Sequence, residues 1–161
     1  MSNSPSSDLS EYSQKNSELW QVYVQTHSGI NSYLDKALRA QADIKLDDFQ
    51  ILTILTNGGV YTDSPQVLRM GEIASTLNAS PSRLTYQIER LIGLGWVERT
   101  AVKEDRRGKG IFITEIGYER YMEAYKVHSQ LLNNVIMEKV TAKEAETLQA
   151  VMIKMLESLN N

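Results

Sequence analysis

The stretch "SPSRLTYQIERLIGLGWVER", residues 80–99, contains a helix start, an amphipathic helix and the beginning of a strand. Ser80 followed by Pro81 predicts an N-cap and a first helical position, because the proline ring replaces an amide that would otherwise lack a helical partner. The stretch therefore predicts a helix over about residues 81–94 with one buried face and the others in solvent. Its apolar stripe consists of Leu84, Ile88, Leu91 and Ile92.

A shorter helical pattern, "MGEIASTL", lies just before this helix, at residues 70–77. Two helices joined by a turn of three or four residues are typical of a helix-turn-helix, whose second helix enters the DNA major groove, about 12 Å wide. The pattern alone leaves open an ordinary amphipathic helix with a solvated face. The side chains expected to serve DNA binding on this helix are small, hydroxylated or basic: Ser80, Ser82, Arg83, Thr85, Tyr86 and Arg90.

A β-hairpin is predicted directly after the second helix. The β-prone runs "WVERTAV" and "KGIFIT" flank a charged turn whose tip is expected at Gly108 and Gly110. Such a hairpin, or wing, falls over a minor groove, where the negative potential attracts arginine. Asp105 either orients a wing arginine or starts the turn. The wing residues expected to serve DNA binding are Asp105, Arg106, Arg107 and Lys109.

The basic residues are concentrated in this part of an acidic chain. The 161 residues carry a formal net charge of −3, whereas residues 79–110 hold seven basic and four acidic side chains, a net charge of +3. A locally positive segment indicates a polyanionic partner even where the average charge does not. A helix-turn-helix pattern followed by a basic wing is also a more specific indication of duplex-DNA binding than either pattern alone.

The chain is predicted to be mainly α with a small β-hairpin wing: a winged helix-turn-helix domain flanked by long N- and C-terminal dimerisation helices. The Ser- and Asn-rich start of the chain has too few apolar residues to pack and is expected to be disordered. The predicted division is a disordered tail over 1–14, an N-terminal helix over 15–44, the winged domain over 45–117 and C-terminal helices over 118–161.

Local signals predict where several helices begin and end. Asp47 is a candidate cap for the first helix of the winged domain, and Gly58 would end that helix. Thr114 is expected to open the helix that follows the wing. Thr141 and Glu144, three residues apart, predict a capping box at the start of the last helix.

The segments "SPSRLTYQIERLIGLGWVER" and "DRRGKGIFITEIG" together resemble the MarR family of winged-helix transcriptional regulators. "KLDDFQIL" is similar to the start of that family's second helix, and the resemblance spans about residues 17–159. Phe112, where many relatives have a basic or polar residue, and the long connection "GGVYTDSPQVLRM" depart from the family pattern. The family's wing reads D-R-R, some six residues, then L-T-x-x-G, which is the spacing here of Asp105, Arg106, Arg107, Thr114 and Gly117.

The resemblance implies a homodimeric regulator, most often a repressor, that binds double-stranded DNA. Arg107 and Arg106 would enter the minor groove, and Lys109 would meet phosphate. The long terminal helices would pair with those of a second copy, although an intrachain bundle is the alternative, and two winged domains related by a dyad would read a palindromic operator. Small, often aromatic or phenolic, anions bind family members between these regions. Candidates here for such an effector pocket, and equally for core or interface, are Trp20, Tyr23, His27 and Tyr33.

Composition excludes several kinds of site. The chain has no cysteine, so it forms no disulfide and no thiolate metal site. His27 and His128 are the only imidazoles and neither sits in a cluster with ligand spacing, so no metal or cofactor is expected. No apolar run approaches the roughly 18 residues of a membrane span, and there is no basic and apolar leader. We therefore expect a cytoplasmic protein without a membrane partner.

The sequence also bears on two other classes of function, an enzyme and a protein-docking module. An enzyme would need a nucleophile with a base, but no glycine elbow, phosphate loop or metal signature surrounds any serine, histidine or aspartate. We therefore expect no enzymatic activity. A winged helix that docks a protein instead of DNA is the main alternative, because the acidic remainder of the chain is compatible with it.

Overall fold

The computed structural model describes the backbone of residues 5–56, 66–102 and 105–159 and the side chains of residues 13–56, 66–101 and 110–159. Within these ranges the chain is mainly helical, which confirms the predicted fold class. A short π-helical segment, Asn133–Met137, follows the fifth helix. The elements are α1 (Pro5–Ala42), α2 (Leu46–Leu55), β1 (Leu68–Arg69), α3 (Met70–Leu77), α4 (Pro81–Gly93), β2 (Val97–Val102), β3 (Asp105–Ile113), α5 (Glu115–Leu132) and α6 (Ala142–Leu159).

The three strands form an antiparallel sheet in the order β1–β3–β2. β2 and β3 make the predicted wing hairpin, in which Gly110 lies opposite Thr100. Gly110 also pairs with Arg69 of β1, so the prediction that it forms the tip of the hairpin is wrong. The ladder extends beyond the apolar run into the charged segment, and β3 begins at Asp105. The connection at 103–104 lies outside the described residues, as does the predicted helix end at Gly58.

The first helix begins at Pro5, whereas the composition of residues 1–14 predicted disorder. The C-terminal half of α1 is anchored in the core, where Leu38 is completely buried. A helix that is already nucleated extends at low cost, because each further residue adds one hydrogen bond. The early turns also gain side-chain support, since Gln14 Nε2 donates to Glu18 Oε1 at 3.1 Å.

One hydrophobic core lies between the C-terminal half of α1, α2, α4, the sheet and α5. The predicted stripe of α4 is confirmed: Leu84, Ile88 and Leu91 are completely buried, and Ile92 packs partly buried against them. Burying each such side chain contributes about 1.5–3 kcal/mol. The stripe therefore fixes which face of α4 is turned to solvent. The other fully buried apolar residues among those described are Leu38, Ile51, Leu52, Leu55, Ile73, Val97, Ile111, Ile113 and Ala124.

The start of α2 is capped from another helix. The N-cap position is Lys45, which makes no side-chain cap, so the prediction that Asp47 caps α2 is wrong. The Leu46 N–H instead donates to Asp35 Oδ1 of α1 at 3.0 Å. Arg39 bonds the same carboxylate at 2.7 Å, and this bond, with that of the Leu46 amide, lowers the pKa of Asp35. Asp47 lies in the first turn of α2, where its charge complements the helix dipole.

The first turn of α5 is fastened to the turn before β2. Thr114 is the N-cap, as predicted, and its Oγ1 accepts the Gly117 N–H at 3.0 Å. The Thr114 hydroxyl lies within 2.7 Å of the Gly95 carbonyl oxygen, and the Thr114 N–H donates to the Trp96 carbonyl at 3.0 Å. Gly95 has a φ of +71°, in the left-handed region that glycine tolerates. These contacts give the T-x-x-G pattern its physical basis.

A second contact joins the base of the wing to both terminal regions. The guanidinium carbon of Arg120, on α5, lies 5.3 Å from the centroid of the Trp96 ring, which is a cation–π distance. Arg120 Nη2 also donates to the Ala42 carbonyl at the end of α1, at 2.7 Å. The end of α1, the start of β2 and the first half of α5 therefore meet at Trp96.

Replacing Gly117 by alanine is expected to destabilise the fold. A Cβ at this position would lie 1.9 Å from the Trp96 carbonyl oxygen, so backbone must move. Overpacking of this kind costs about 1–3 kcal/mol, which lowers Tm by roughly 2–12 °C for a chain of this size. Calorimetry of Gly117→Ala measures the shift. Gly93→Ala is the control, since nothing lies within 4 Å of its added Cβ; an equal loss in both variants would contradict this role for Gly117.

Candidate nucleic-acid interface

The exposed face of α4 is made of the side chains that the sequence predicted for it. Ser80 is the N-cap and Pro81 the first helical residue, as predicted. Ser82, Arg83 and Thr85 are exposed, and Tyr86 is 71% exposed. Because the opposite stripe of α4 is locked in the core, this hydroxylated and basic face cannot turn inward. It stands out from the domain as a surface available to a partner.

The amino end of α4 keeps polar groups available. The Ser80 side chain makes no cap hydrogen bond, so the first-turn amides receive no hydroxyl from the N-cap. The Thr85 hydroxyl donates to the Pro81 carbonyl at 2.8 Å, which holds that side chain along the helix. Unpaired amides at a helix start carry partial positive charge and are suited to an anion such as phosphate.

Arg83 is exposed but does not stand alone. Its Nη2 atom forms a hydrogen-bonded ion pair with Oδ2 of Asp47, in the first turn of α2. Both side chains are largely in solvent, with 63% of Arg83 and 47% of Asp47 exposed. The sequence pattern identified Arg83 but not its partner, because 36 residues separate the two. Only the packing of α4 on α2 brings them together.

Arg90 has a different place from the one predicted. Its side chain turns toward α2 and pairs with the carboxylate of Asp48. Asp48 is only 1% exposed, and a buried charge without a partner is strongly destabilising. Arg90 therefore joins α4 to α2, and its charge is engaged within the protein. Arg99 of β2 likewise pairs with a residue of α4, Glu89.

The wing residues Asp105, Arg106, Arg107 and Lys109 all lie on β3. Their side chains fall outside the described residues, so their roles stay predictions. The backbone nevertheless fixes the position of the hairpin: β2 begins at Val97, only a short turn after the end of α4 at Gly93. The start of β2 therefore lies beside α4, where Arg99 of β2 pairs with Glu89.

Three of the four candidate pocket residues lie together on α1. The rings of Trp20 and Tyr23 stack with centroids 5.7 Å apart, and those of Tyr23 and His27 stack at 6.3 Å. Tyr33 lies six residues beyond His27, about 120° away around the helix. All four are exposed in a single copy of the chain. The aromatic stack is therefore an open surface here and not an enclosed cavity.

Two other kinds of site concern the described part of the chain: a metal centre and a membrane span. Among those residues, no group of three or more histidines, cysteines or carboxylates is arranged to hold a metal ion. None of the helices within the same ranges is both long and apolar enough to span a bilayer.

A helical unit of α2, α3 and α4 followed by an antiparallel β-hairpin is a winged helix-turn-helix. Known proteins of one family resemble this winged helix. The family model described as MarR family matches residues 42–108. The multiple antibiotic resistance protein MarR of Salmonella typhimurium is 26% identical over 127 residues, which is 79% of this chain and 80% of that protein.

Two more relatives agree. The uncharacterized HTH-type transcriptional regulator YpoP of Bacillus subtilis is 34% identical over 99 residues, 62% of this chain and 61% of that protein. The crystal structure of Sco3205, a MarR family transcriptional regulator from Streptomyces coelicolor in complex with DNA, superposes with a TM-score of 0.80 at 25% identity and covers 90% of this chain and 91% of that one. The chain is similar to MarR-family transcriptional regulators in its winged domain and in its fold. Members of this family are transcription factors, which confirms the expectation that the chain is not an enzyme.

Proposed function

We propose that the protein is a dimeric transcriptional regulator that binds double-stranded DNA in a sequence-specific manner. In this proposal α4 enters a major groove and the β2–β3 wing lies over the adjacent minor groove. The observation that supports it best is the exposed face of α4, on which Ser82, Arg83, Thr85 and Tyr86 all point to solvent. The DNA complex of Sco3205 is consistent with it.

The chemistry of this face matches a DNA groove. Short hydroxylated side chains at Ser82 and Thr85 let a helix approach base edges closely. The uncapped amides at the start of α4 favour a phosphate beside Ser80. Arg106 and Arg107 of the wing would add positive charge where the minor groove is most negative. Backbone contacts would supply affinity, and contacts of α4 to bases would supply sequence preference.

The second part of the proposal is a homodimer formed through α1 and α6. No described residue of α6 is buried, and its apolar side chains are exposed. Most of the stability of a helix in a protein comes from the packing of its apolar face, and an apolar surface this large usually marks an interface. A second copy of the chain would cover it and bring two winged domains to one duplex. The exposed apolar residues are Leu148, Val151, Met152, Ile153, Met155, Leu156 and Leu159 on α6, and Leu19, Trp20, Val22, Tyr23 and Val24 on α1.

The third part is control by a small molecule. The stacked rings of Trp20, Tyr23 and His27 lie on the part of α1 that the dimer would cover. A flat aromatic anion would find there both a stacking surface and a polar edge. A ligand that changes how the two copies pack would change the distance between the two α4 helices. We propose that the protein is a repressor relieved in this way, with a palindromic operator as its site.

The DNA-binding part is tested by the salt dependence of binding. For a duplex that carries the DNA flanking the protein's own gene, log K is expected to fall linearly with log salt, with a slope of about −0.9 per phosphate neutralised. Changing Arg106 and Arg107 together to alanine is expected to weaken binding and to make the slope shallower by roughly 2. Fluorescence anisotropy from about 50 to 200 mM salt measures both quantities.

Lys143→Ala is the control, since it removes a basic residue from the exposed start of α6 and is expected to leave the slope unchanged. Binding that ignores salt, or whose affinity and salt slope are unchanged by loss of both wing arginines, would contradict DNA binding and favour the protein-docking alternative.

The homodimer is tested by its mass in solution. Sedimentation equilibrium is expected to give about twice the 18.2 kDa of one chain. Placing charges on the apolar stripe with Met152→Asp and Leu156→Asp is expected to shift the mass toward the monomer, because the interface would then bury unpaired carboxylates. Lys154→Asp is the control, about 160–200° around α6 from those two positions. A wild-type monomer, or a dimer indifferent to the stripe, would refute this interface.

A further inference from the structure

We propose that Asp47 is a positioning residue for Arg83: it holds the guanidinium ready to read a base edge and keeps its charge from sequence-independent phosphate contacts. This inference rests on the proposed DNA binding. It concerns a residue of α2 that does not belong to the groove-facing set on α4. The juxtaposition behind it is the ion pair between Arg83, in the first turn of α4, and Asp47, in the first turn of α2.

The backbone that carries the Asp47 carboxylate is anchored. Asp47 follows Leu46, whose N–H is bonded to Asp35 of α1, and precedes the buried residues Asp48 and Phe49. α2 therefore cannot shift or turn to follow a moving side chain. Arg83, in contrast, is a long side chain with 63% of its surface in solvent. Through the ion pair, the carboxylate on this anchored helix selects one of the many rotamers open to Arg83.

The pair faces little competition on the protein side. Asp47 and Arg83 border a small polar notch between α2 and the turn that joins α3 to α4. The other polar residues that line this notch are the uncharged Gln50, Asn78 and Gln87. Among the described residues that line this notch, Asp47 is the only anion and Arg83 the only cation.

The geometry leaves Arg83 able to bind a second partner. The bond to Asp47 uses one N–H, at Nη2, out of the five that a guanidinium carries. The remaining donors are enough for a two-pronged contact to O6 and N7 of guanine, the commonest specific contact of arginine in the major groove. A guanine can therefore be read without breaking the ion pair.

The relative strengths of these contacts decide when Arg83 contributes. An exposed ion pair shifts an equilibrium by no more than about fivefold. A two-pronged contact to guanine is worth roughly 5- to 150-fold, so a correct base adds substantially to binding. A random phosphate offers only another solvent-screened ion pair in place of the one already present. While it is paired with Asp47, Arg83 would release no additional counterion from random DNA. Without Asp47, Arg83 would release about 0.9 counterion for each phosphate that it contacts.

The experiment compares wild type with Asp47→Asn, Arg83→Ala and the double variant on two duplexes. One duplex is a random sequence, and the other is the operator obtained by selection from a random pool. Asp47→Asn is expected to bind the random duplex up to about fivefold more tightly and with a salt slope steeper by about 0.9. Its affinity for the operator is expected not to rise, so the ratio of operator to random affinity falls.

The remaining variants identify the cause. Arg83→Ala is expected to lose roughly 5- to 150-fold on the operator and to change random binding less than about twofold. The double variant is expected to match Arg83→Ala on both duplexes, because Asp47 then has nothing to position. Glu146→Gln on α6 removes the same charge from a distant helix and is expected to change neither duplex.

Three results would overturn the inference. The first is an unchanged operator-to-random ratio in Asp47→Asn. The second is a gain on random DNA that persists when Arg83 is absent, since the effect would then be simple removal of a negative charge. The third is a loss of random binding in Arg83→Ala as large as its loss on the operator. Failure of the proposed function looks different, because wild type would then bind neither duplex.

Discussion

The turn at Gly95 and Trp96 sets the position of everything on the candidate DNA-binding side of the chain. α4 ends just before it and β2 begins just after it, so its backbone conformation determines how the wing sits beside the helix. The Trp96 carbonyl accepts the Thr114 N–H, Gly117 packs against the same carbonyl, and Arg120 covers the ring. The backbone carbonyl and the indole ring of Trp96 thus hold the wing, α5 and the end of α1 in one arrangement. Rigid placement matters here, because two grooves can be contacted together only when helix and wing keep a fixed separation.

The charges of the winged domain are arranged more selectively than their number implies. Arg83, Arg90 and Arg99 are each paired with a carboxylate of α2 or α4. Much of the positive charge counted in the sequence is therefore already balanced within the protein. The wing residues Arg106, Arg107 and Lys109 then become the main candidates for sequence-independent attraction to phosphates, and α4 is left to distinguish bases. An acidic protein can bind a polyanion under such a division, because a local field at short range outweighs the average charge.

Local patterns in the sequence predicted those parts of the fold that depend on neighbours along the chain. The buried stripe of α4, the cap at Thr114 and the capping box of Thr141 and Glu144 all follow from spacing, and the structure contains each. Side-chain partners across helices were not predictable in this way. Arg90 sits at a position that helical periodicity leaves outside the core stripe, and only the approach of α2 brings a buried carboxylate to it.

The remaining errors have the same origin. Asp47 has the right residue type and place for a cap, but Asp35 of α1 supplies the acceptor instead. Gly110 has the composition of a turn, yet a third strand, β1, extends the ladder across it. The exposed apolar faces of α1 and α6 were recognisable from periodicity. In the proposed homodimer a second copy covers them, and that pairing follows from no pattern within a single chain.

Selection from a random pool of duplexes, followed by sequencing, tests the central claim most directly. The account predicts enrichment of one inverted repeat whose half-sites lie about one helical turn apart, roughly 10 base pairs or a multiple of that distance. Such a repeat requires both a duplex-reading surface and a two-fold dimer. Enrichment of no sequence, or of a single asymmetric site, would contradict the account.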